Sequence, residues 1–355
     1  MSFDKVPGNA PIKDILRSAL RRKSVLPSLL FCGVEGAGQR ETAVELAKSF
    51  NCLTLADDAC DECSSCRAID AGNHPDVIDV KQLPRMESEE QDENGGSADE
   101  EDAAGEENAG KKSAMIYIYQ MRKAGFLARM KPMTGRRRIF LVDDAAEMNE
   151  PTSNASLKIL EEPPDFSQFI LITANPDRLL PTIVSRCRML TFGAVGSEDI
   201  ASVLRERGVD EARAGVIAAI VRGNYHRALT EDWDAYFEGR GEAWDLFRAI
   251  LAGDNGTEFV RKFSGGRKPP SRDEAGAVLD FFRSFGRDLL LLGETGRAEG
   301  LFHPDLEPGL RELAAVVEPA RTLRLIRAVD TAASGLEANA NIRLLTSVLY
   351  ARMTG

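Results

Sequence analysis

Short apolar runs alternate with segments of helical periodicity over residues 1–195. Five of the runs predict buried strands, at 28–33, 76–80, 137–144, 168–175 and the end of 181–192. Around them, segment 115–132 indicates helical or mixed structure, and apolar residues recur at helical spacing in segments 11–23, 39–52 and 153–163. The last of these helices is expected to stop at Pro163 and Pro164. This alternation of strand and helix predicts an α/β domain.

Strand candidates cease after about residue 196. Helical periodicity continues in segments 197–208, 210–223 and 226–252 and in everything beyond them. An α/β pattern followed by helices alone predicts helical domains in the second half of the chain.

An acidic, polar stretch at 81–113 interrupts the α/β pattern. Residues 86–110 alone contain 11 acids and no Lys or Arg. A segment with so few apolar side chains cannot bury enough surface to offset the entropy of ordering, so we predict that it is disordered. Removing these 11 from the 56 acidic residues leaves 45, which equals the number of Lys plus Arg. The rest of the chain therefore lacks the basic excess typical of proteins that grip nucleic acid with their own surface.

Composition places the chain among globular proteins. Its 355 residues are 43% hydrophobic, which is enough for two or three domains with full cores. The sequence has no run of 18 apolar residues, and its first segment has early acids and no apolar signal core. We therefore expect a cytoplasmic protein without a membrane span. In that compartment the six cysteines are better explained as metal ligands or buried thiols than as disulfides.

Four of the cysteines form a compact cluster. Cys52, Cys60, Cys63 and Cys66 have the spacing C-x7-C-x2-C-x2-C. Four thiolates at this spacing can close a tetrahedral zinc site, and a site filled by protein ligands is structural. A four-iron cluster and four unrelated thiols are the weaker alternatives. Cys32 lies in a predicted strand and is interpreted as a buried thiol.

The segment GVEGAGQRE, residues 33–41, has the outline of a phosphate-binding loop. Gly33 and Gly38 occupy the glycine positions of G-x-x-x-x-G-K-[ST], with Gly36 between them. Gln39 stands in the lysine position and Arg40 in the hydroxyl position. Because the lysine contacts phosphates and the hydroxyl binds Mg²⁺, we expect neither hydrolysis nor productive binding of ATP and magnesium. An ordinary glycine turn between strand and helix is the alternative interpretation.

Two acids end the strand predicted at 137–144. Asp143 stands where a strand-terminal aspartate holds Mg²⁺ in ATPases, and Asp144 stands where an acid orients the attacking water. That second acid is usually glutamate, and aspartate is one methylene shorter. Without a nucleotide, the same pair is simply the solvated end of a strand.

Three motifs resemble the clamp-loader branch of the AAA+ proteins, which serves bacterial DNA polymerase III. They are GNHPDV at 72–77, LKILEEPP at 157–164 and ILITANPDRLLPTIVSRC at 170–187. The four-cysteine cluster is also similar to that family. Two features depart from its pattern: the insert at 81–113, and PTSNASLK where relatives are closer to AANALLK. The resemblance is specific over 1–195 and loose over 196–355.

The resemblance implies a fold and a division into domains. Residues 1–195 are expected to form a parallel five-stranded sheet of the phosphate-loop type, with a zinc module at 52–66. Residues 196–242 correspond to a helical lid. Residues 243–355 correspond to a helical collar that holds five subunits in a ring.

The resemblance also assigns roles to individual residues. Arg186, between Ser185 and Cys187 in the SRC motif, matches an arginine finger that acts on a neighbouring subunit's ATP. Asn175 matches a first sensor position, and Arg227 matches a second sensor on a lid helix, although a helix-surface arginine is an equal interpretation. Glu161 and Glu162 are interpreted as structural residues at a helix end.

The implied function is that of a non-hydrolysing scaffold subunit of the clamp loader. Its expected partners are gamma- or tau-like ATPases, which keep the lysine and threonine of the loop, and a delta-like subunit. The sliding clamp and primer–template DNA are reached through the assembly. An active gamma- or tau-like ATPase with an unusual loop is the first alternative. A zinc-dependent DNA-binding module outside replication is the second.

Overall fold

The structure is a computed structural model that describes residues 2–22, 27–55, 58–83, 114–252, 271–338 and 340–354. The disorder predicted for 81–113 lies outside the described residues from position 84 onward.

A parallel sheet of five strands organises the first part of the chain. The strands run in the order β2-β3-β4-β1-β5, and every pairing is parallel. They are β1 (Leu29–Gly33), β2 (Val77–Val80), β3 (Arg138–Val142), β4 (Ser167–Ile172) and β5 (Arg188–Phe192). The fold class and all five strand predictions are confirmed. Strands β3 and β4 are buried along their whole length, which is why they appear in the sequence as continuous apolar runs rather than alternating ones.

Helices precede, connect and follow the strands. They are α1 (Ala10–Arg21), α2 (Gln39–Asn51), α3 (Ser64–Asp70), α4 (Ile118–Ala128), α5 (Glu150–Glu161), α6 (Pro181–Val184) and α7 (Ser197–Glu206). Helix α5 shows how the sequence sets the boundaries of a helix. The Asn149 side chain accepts the N–H of Thr152 at its start, and the predicted stop before Pro163 is confirmed. The short α3 inside the cysteine segment was not predicted from the sequence.

Phenylalanines fill the centre of the sheet. Phe140 of β3 and Phe169 of β4 stack with ring centroids 4.5 Å apart, and both are fully buried. Phe31 of β1 packs on Phe192 of β5 with the two rings tilted by 48° and their centroids 5.2 Å apart. This packing stabilises the strand ends that carry the candidate site.

The described residues group into two compact units. The first comprises residues up to 203 together with 223–227, and the second comprises 204–222 together with the chain from 228 onward. The division at 195 and 242 into α/β domain, lid and collar stays a prediction.

The second unit consists of helices and connecting turns throughout its described residues. Its elements are α8 (Glu211–Val221), the second half of α9 (Tyr225–Thr230), α10 (Trp233–Ala252), α11 (Arg272–Thr295), α12 (Glu307–Val316), α13 (Pro319–Glu337) and α14 (Ile342–Thr354). Trp244, Phe247, Phe282 and Phe285 meet in its core. None of the helices in the described ranges is both long and apolar enough to cross a bilayer.

A buried polar network lies in this second core. The His303 ring lies 2.9 Å from Ser284 Oγ through Nε2 and 3.4 Å from an Arg240 nitrogen through Nδ1. Asp288 accepts the backbone N–H groups of Phe302 and His303. Burial first, and the Arg240 cation second, lower the pKa of His303 to about 3, so the ring is neutral in the folded protein.

Candidate functional site

The glycine loop follows β1 in a conformation that demands glycine. Gly33, Gly36 and Gly38 all have positive φ, at 120°, 65° and 94°. A Cβ on Gly33 would lie 2.2 Å from the carbonyl oxygen of Phe192, and one on Gly36 would lie 1.8 Å from Asn224 Oδ1. The glycines are therefore required for close approach of neighbouring chain as well as for turning.

Residues 223–227 close over this loop. The His226 N–H donates to the carbonyl of Gly36 at 2.9 Å, and His226 Nδ1 lies 2.6 Å from Glu41 Oε1 in the first turn of α2. The hydrogen bond to Glu41 raises the pKa of His226. The Asn224 side chain accepts the N–H of Arg227 and caps the start of α9. Arg227, the predicted second sensor, is thereby placed beside the loop in the same compact unit.

Gln39 turns back onto the loop itself. Its Nε2 donates to the carbonyl oxygen of Val34 at 2.6 Å, and the residue is buried. A lysine in this position would carry a positive charge to the phosphates. The Gln39 amide instead is neutral and already bonded to the backbone that would surround a phosphate.

Arg40 bridges two carboxylates at the ends of neighbouring strands. Its two terminal nitrogens donate to Asp143 Oδ2 at 2.9 Å and to Asp79 Oδ2 at 2.7 Å. The three side chains are 25%, 33% and 32% exposed, respectively. Burial works against the charge of Arg40, but the bonds to Asp79 and Asp143 outweigh it and raise its pKa. The guanidinium thus binds the aspartate that stands where ATPases hold Mg²⁺, and its positive charge opposes the approach of that cation.

The other predicted nucleotide residues lie at the same edge of the sheet. Asp144 accepts from Gln82 Nε2 at 2.9 Å in a left-handed backbone conformation, and partial burial and the charge of Asp143 raise its pKa. Asn175 follows β4, where its N–H donates to Thr173 Oγ1 at 3.1 Å. Since β4 lies between β3 and β1, Asn175 stands between the aspartates and the glycine loop. Hydrogen bonds join Arg40 to Asp143 and Gln39 to the glycine loop. The sensor roles of Asn175 and Arg227 stay predictions.

Asp79 is a functional candidate that sequence reasoning missed. It is the polar position in the β2 run, paired in register with Leu141 of β3. An acid near the carboxyl end of a parallel strand is the signal that would have identified it, since those ends meet at one edge of the sheet.

Arg186 lies at the opposite edge of the sheet. It comes just before β5, whose Arg188 pairs with Leu29 at the start of β1, whereas Phe192 pairs with Gly33 at the glycine loop. The four residue steps between these pairs span roughly 13 Å. Arg186 is therefore beyond side-chain reach of the glycine loop of its own chain.

The neighbours of Arg186 in the SRC motif have structural environments. Ser185 Oγ donates to the carbonyl of Thr182 at 3.1 Å. Cys187 packs against the core beneath the sheet, and burial raises the pKa of its thiol to about 12. Such a thiol is not reactive near neutral pH.

The four predicted cysteines form one cluster. Their sulfur atoms all lie within 4.8 Å of one another, and no disulfide is present among the described cysteines. Backbone N–H groups of Leu55, Cys63 and Cys66 donate to the sulfurs of Cys52, Cys60 and Cys63 at 3.3–3.4 Å. Hydrogen bonds from the backbone lower the pKa of Cys60 to about 6, whereas burial raises that of Cys66. Four close sulfurs of this kind fit a tetrahedral metal ion, which would deprotonate the buried thiol as well.

A buried lysine joins this cluster to α2. Lys48 Nζ contacts Glu45 and Asp61 at 2.7 Å and Asp70 at 2.9 Å. Its side chain is only 3% exposed. Burial raises the pKa of Glu45 to about 7, even with the lysine beside it. Asp61 and Asp70 flank Cys63 and Cys66 in the sequence, so Lys48 connects the cysteine segment to the helix that follows the glycine loop.

His74 is not a ligand in this arrangement. Its Nδ1 accepts the N–H of Asp76 at 3.1 Å, so the proton lies on Nε2, which is 3.1 Å from Ser65 Oγ. The histidine thereby ties α3 to the start of β2.

Comparison with known proteins agrees with this geometry. The family model described as "DNA polymerase III, delta subunit" matches residues 8–195. The subunit delta' of DNA polymerase III from Bacillus subtilis (strain 168) is 26% identical over 337 residues, covering 94% of this chain and 92% of that protein. The subunit tau of the same organism is 28% identical over 235 residues, which are 64% of this chain but only 36% of tau. A DNA polymerase III gamma subunit-related protein from Thermotoga maritima superposes with a TM-score of 0.45 at 18% identity, over 96% of this chain and 98% of that one.

The matching model spans more than half of the chain and includes the glycine loop, the cysteine cluster and the SRC motif. These residues carried the clamp-loader resemblance of the sequence, which is confirmed: the chain belongs to the DNA polymerase III delta-subunit family.

Proposed function

We propose that the chain is a non-hydrolysing, delta-prime-type subunit of the DNA polymerase III clamp loader. It scaffolds a ring of five subunits and donates Arg186 to an ATP bound by its neighbour. Loading of the sliding clamp on primed DNA is a property of the whole assembly.

The position of Arg186 carries this proposal. The residue lies at the amino edge of β5, while the glycine loop lies at the carboxyl edge of β1. An arginine there has no access to a nucleotide in its own chain, but it is available to a subunit packed against that edge. A guanidinium given in trans stabilises the charge that develops on a transferred phosphoryl group.

The contacts of the glycine loop support the absence of hydrolysis by this chain. Gln39 is bonded to the loop carbonyl of Val34, and Arg40 neutralises Asp143 and Asp79. Phosphoryl transfer depends on a cation bridging the phosphates and on a base or acid that positions water. In this pocket the Arg40 guanidinium is already hydrogen-bonded to the acids that would hold that cation.

Zinc is the metal that best fits the cysteine cluster, and its role there is structural. Four thiolates leave no open coordination position for a substrate. Cys52, Cys60, Cys63 and Cys66 would hold the ion and stabilise a segment with little apolar core of its own.

The expected partners are gamma- or tau-like ATPases and a delta-like subunit. The delta' and tau subunits of Bacillus subtilis, which match this chain, support this inference. The clamp and primer–template DNA are contacted through the assembly.

The test replaces Arg186 in a loader reconstituted with its partner subunits, the clamp and primed DNA. Arg186→Ala is expected to lower turnover by about 10³-fold or more at the one ATP site that the arginine serves. Gel filtration checks that the complex still forms. Arg178→Ala is the matched control, because Arg178 follows Asn175 at the opposite edge of the sheet and pairs with Glu147.

Unchanged ATP turnover with Arg186→Ala in an intact complex would remove the arginine finger from this account. Turnover by the purified chain alone would instead favour an active gamma- or tau-like ATPase.

A further inference from the structure

Arg186 is held by two acceptors on its own chain. Its Nε donates to Glu161 Oε2 at 3.0 Å, and its Nη1 donates to the carbonyl oxygen of Thr182 at 3.0 Å. A guanidinium is planar and has five N–H groups. Because two different nitrogens donate to these two acceptors, the contacts determine the plane of the guanidinium as well as its position.

The remaining donors of Arg186 lie at its terminal end. One N–H of Nη1 and both of Nη2 have no hydrogen-bond partner within the ranges that the structure describes. These are the donors that a phosphate accepts in an end-on, two-point contact. The side chain remains 30% exposed, so this end is open to a ligand.

The backbone that carries Glu161 is held in place by hydrogen bonds to neighbouring elements. It is the last residue of α5, directly after Leu160, which is buried. The carbonyl of Leu160 accepts from Ser28 Oγ at 2.9 Å, and the carbonyl of Ser28 accepts the N–H of Arg188 at 2.7 Å. The backbone beneath Glu161 is thus joined to β5, the strand that begins two residues after Arg186.

The Glu161–Arg186 pair contributes little to stability. Glu161 is 56% exposed, and exposed ion pairs are weak because water screens them and two long side chains lose freedom. Its effect on the orientation of the guanidinium does not depend on that strength, since an arginine that samples several rotamers is seldom aligned with the phosphate.

We propose that Glu161 is the positioning residue of the arginine finger. Together with the Thr182 carbonyl, it holds the guanidinium so that Nη1 and Nη2 face the γ-phosphoryl group of a nucleoside triphosphate on the neighbouring subunit. This inference rests on the proposed function, because it needs Arg186 to act in trans. It also replaces the interpretation of Glu161 as a purely structural residue at a helix end.

The experiment measures ATP turnover of the reconstituted loader with primed DNA, using the full chain. Glu161→Ala is expected to lower kcat at the affected site about 10-fold with little change in KM, because the arginine is misaligned rather than lost. Glu161→Gln keeps an acceptor oxygen and is expected to retain at least about half of the activity. Glu162→Ala is the matched control on the adjacent exposed acid.

A double variant separates positioning from a general effect on the fold. If Glu161 acts through Arg186, then adding Glu161→Ala to Arg186→Ala lowers turnover no further. A further loss in the double variant, or equal losses with Glu161→Ala and Glu161→Gln, would overturn the positioning role.

The same set of variants distinguishes the two proposals. Loss with Arg186→Ala but none with Glu161→Ala refutes only the role of Glu161. No loss with Arg186→Ala refutes the proposed function and this inference with it.

Discussion

Arg40 is the residue whose replacement tests the closed pocket most clearly. Arg40→Ala removes two charge-assisted hydrogen bonds, of 2.7 and 2.9 Å. Such bonds contribute roughly 1.5–3 kcal/mol each when fully buried. Because the three side chains are a quarter to a third exposed, we discount each bond to about 1 kcal/mol. The variant should therefore lose about 2 kcal/mol of stability, and its melting temperature should fall by roughly 4–8 °C.

Magnesium should stabilise this variant and is expected to have no such effect on the original chain. In the Arg40→Ala variant, the carboxylates of Asp79 and Asp143 have lost the guanidinium that both of them contact in the original chain. Oxygen ligands of this kind suit Mg²⁺. At a magnesium concentration ten times the dissociation constant, binding would return about 1.4 kcal/mol.

The assay is thermal unfolding followed by circular dichroism, with and without millimolar MgCl₂. Arg122→Ala, at an exposed position on α4, is the control for loss of a surface arginine. Equal stabilisation of the original chain and of Arg40→Ala by magnesium would refute the idea that the guanidinium takes the place of the cation. An unchanged melting temperature in Arg40→Ala would refute the energetic estimate.

Three further predictions concern stability and metal content. Lys48→Met leaves the buried Glu45 without its cation and should destabilise the α/β unit by about 3 kcal/mol. The exposed Lys5→Met should cost under about 1 kcal/mol, and chemical denaturation checks both variants. His303 is neutral in the folded state, with a pKa of about 3. Its contribution to the free energy of unfolding is therefore fully present above pH 6.5 and is lost as the pH falls, with a loss of about 2 kcal/mol at about pH 5. Both tryptophans lie in α10, so their fluorescence reports unfolding of the helical unit, and His303→Gln should flatten this part of the pH dependence; an identical pH profile would contradict the assignment. Metal analysis should find one zinc per chain, which Cys63→Ser should lower, and a freshly purified, unchelated protein without zinc would contradict the four-thiolate site.

The strands and most helices were predictable because their signals are local. Apolar runs such as 168–175 identify buried strands, and the prolines after Glu162 define the end of α5. The start of α5 was predicted three residues late, because the capping role of Asn149 was not identified. The cysteine spacing predicted a cluster that the structure brings together. In each case the pattern lies within a few residues of the element that it describes.

The pairings that decide function were not predictable in the same way. Arg40 meets Asp143 across 103 positions of sequence, and Asp79 joins them only because β2 lies beside β3. Sequence alone indicated that Arg40 would repel magnesium, but not that it already binds the two acids. The grouping of 223–227 with the α/β unit likewise depends on the contact between His226 and Gly36. Long-range contacts of this kind follow from the topology, which periodicity does not specify.

The role of Glu161 shows the same limit. In sequence it is one of two adjacent acids before a proline pair, and nothing local distinguishes it from Glu162. The structure distinguishes them, because of these two acids Glu161 is the one that a described hydrogen bond joins to Arg186.

Calorimetric titration of Mg-ATP into the purified chain tests the central claim most directly, namely that the pocket of this chain is closed by its own side chains. We predict no binding by the original protein, and measurable binding by the double variant Gln39→Lys and Arg40→Thr, which restores the cation and the hydroxyl of the loop. Tight binding of Mg-ATP by the original protein, accompanied by release of phosphate, would contradict the account.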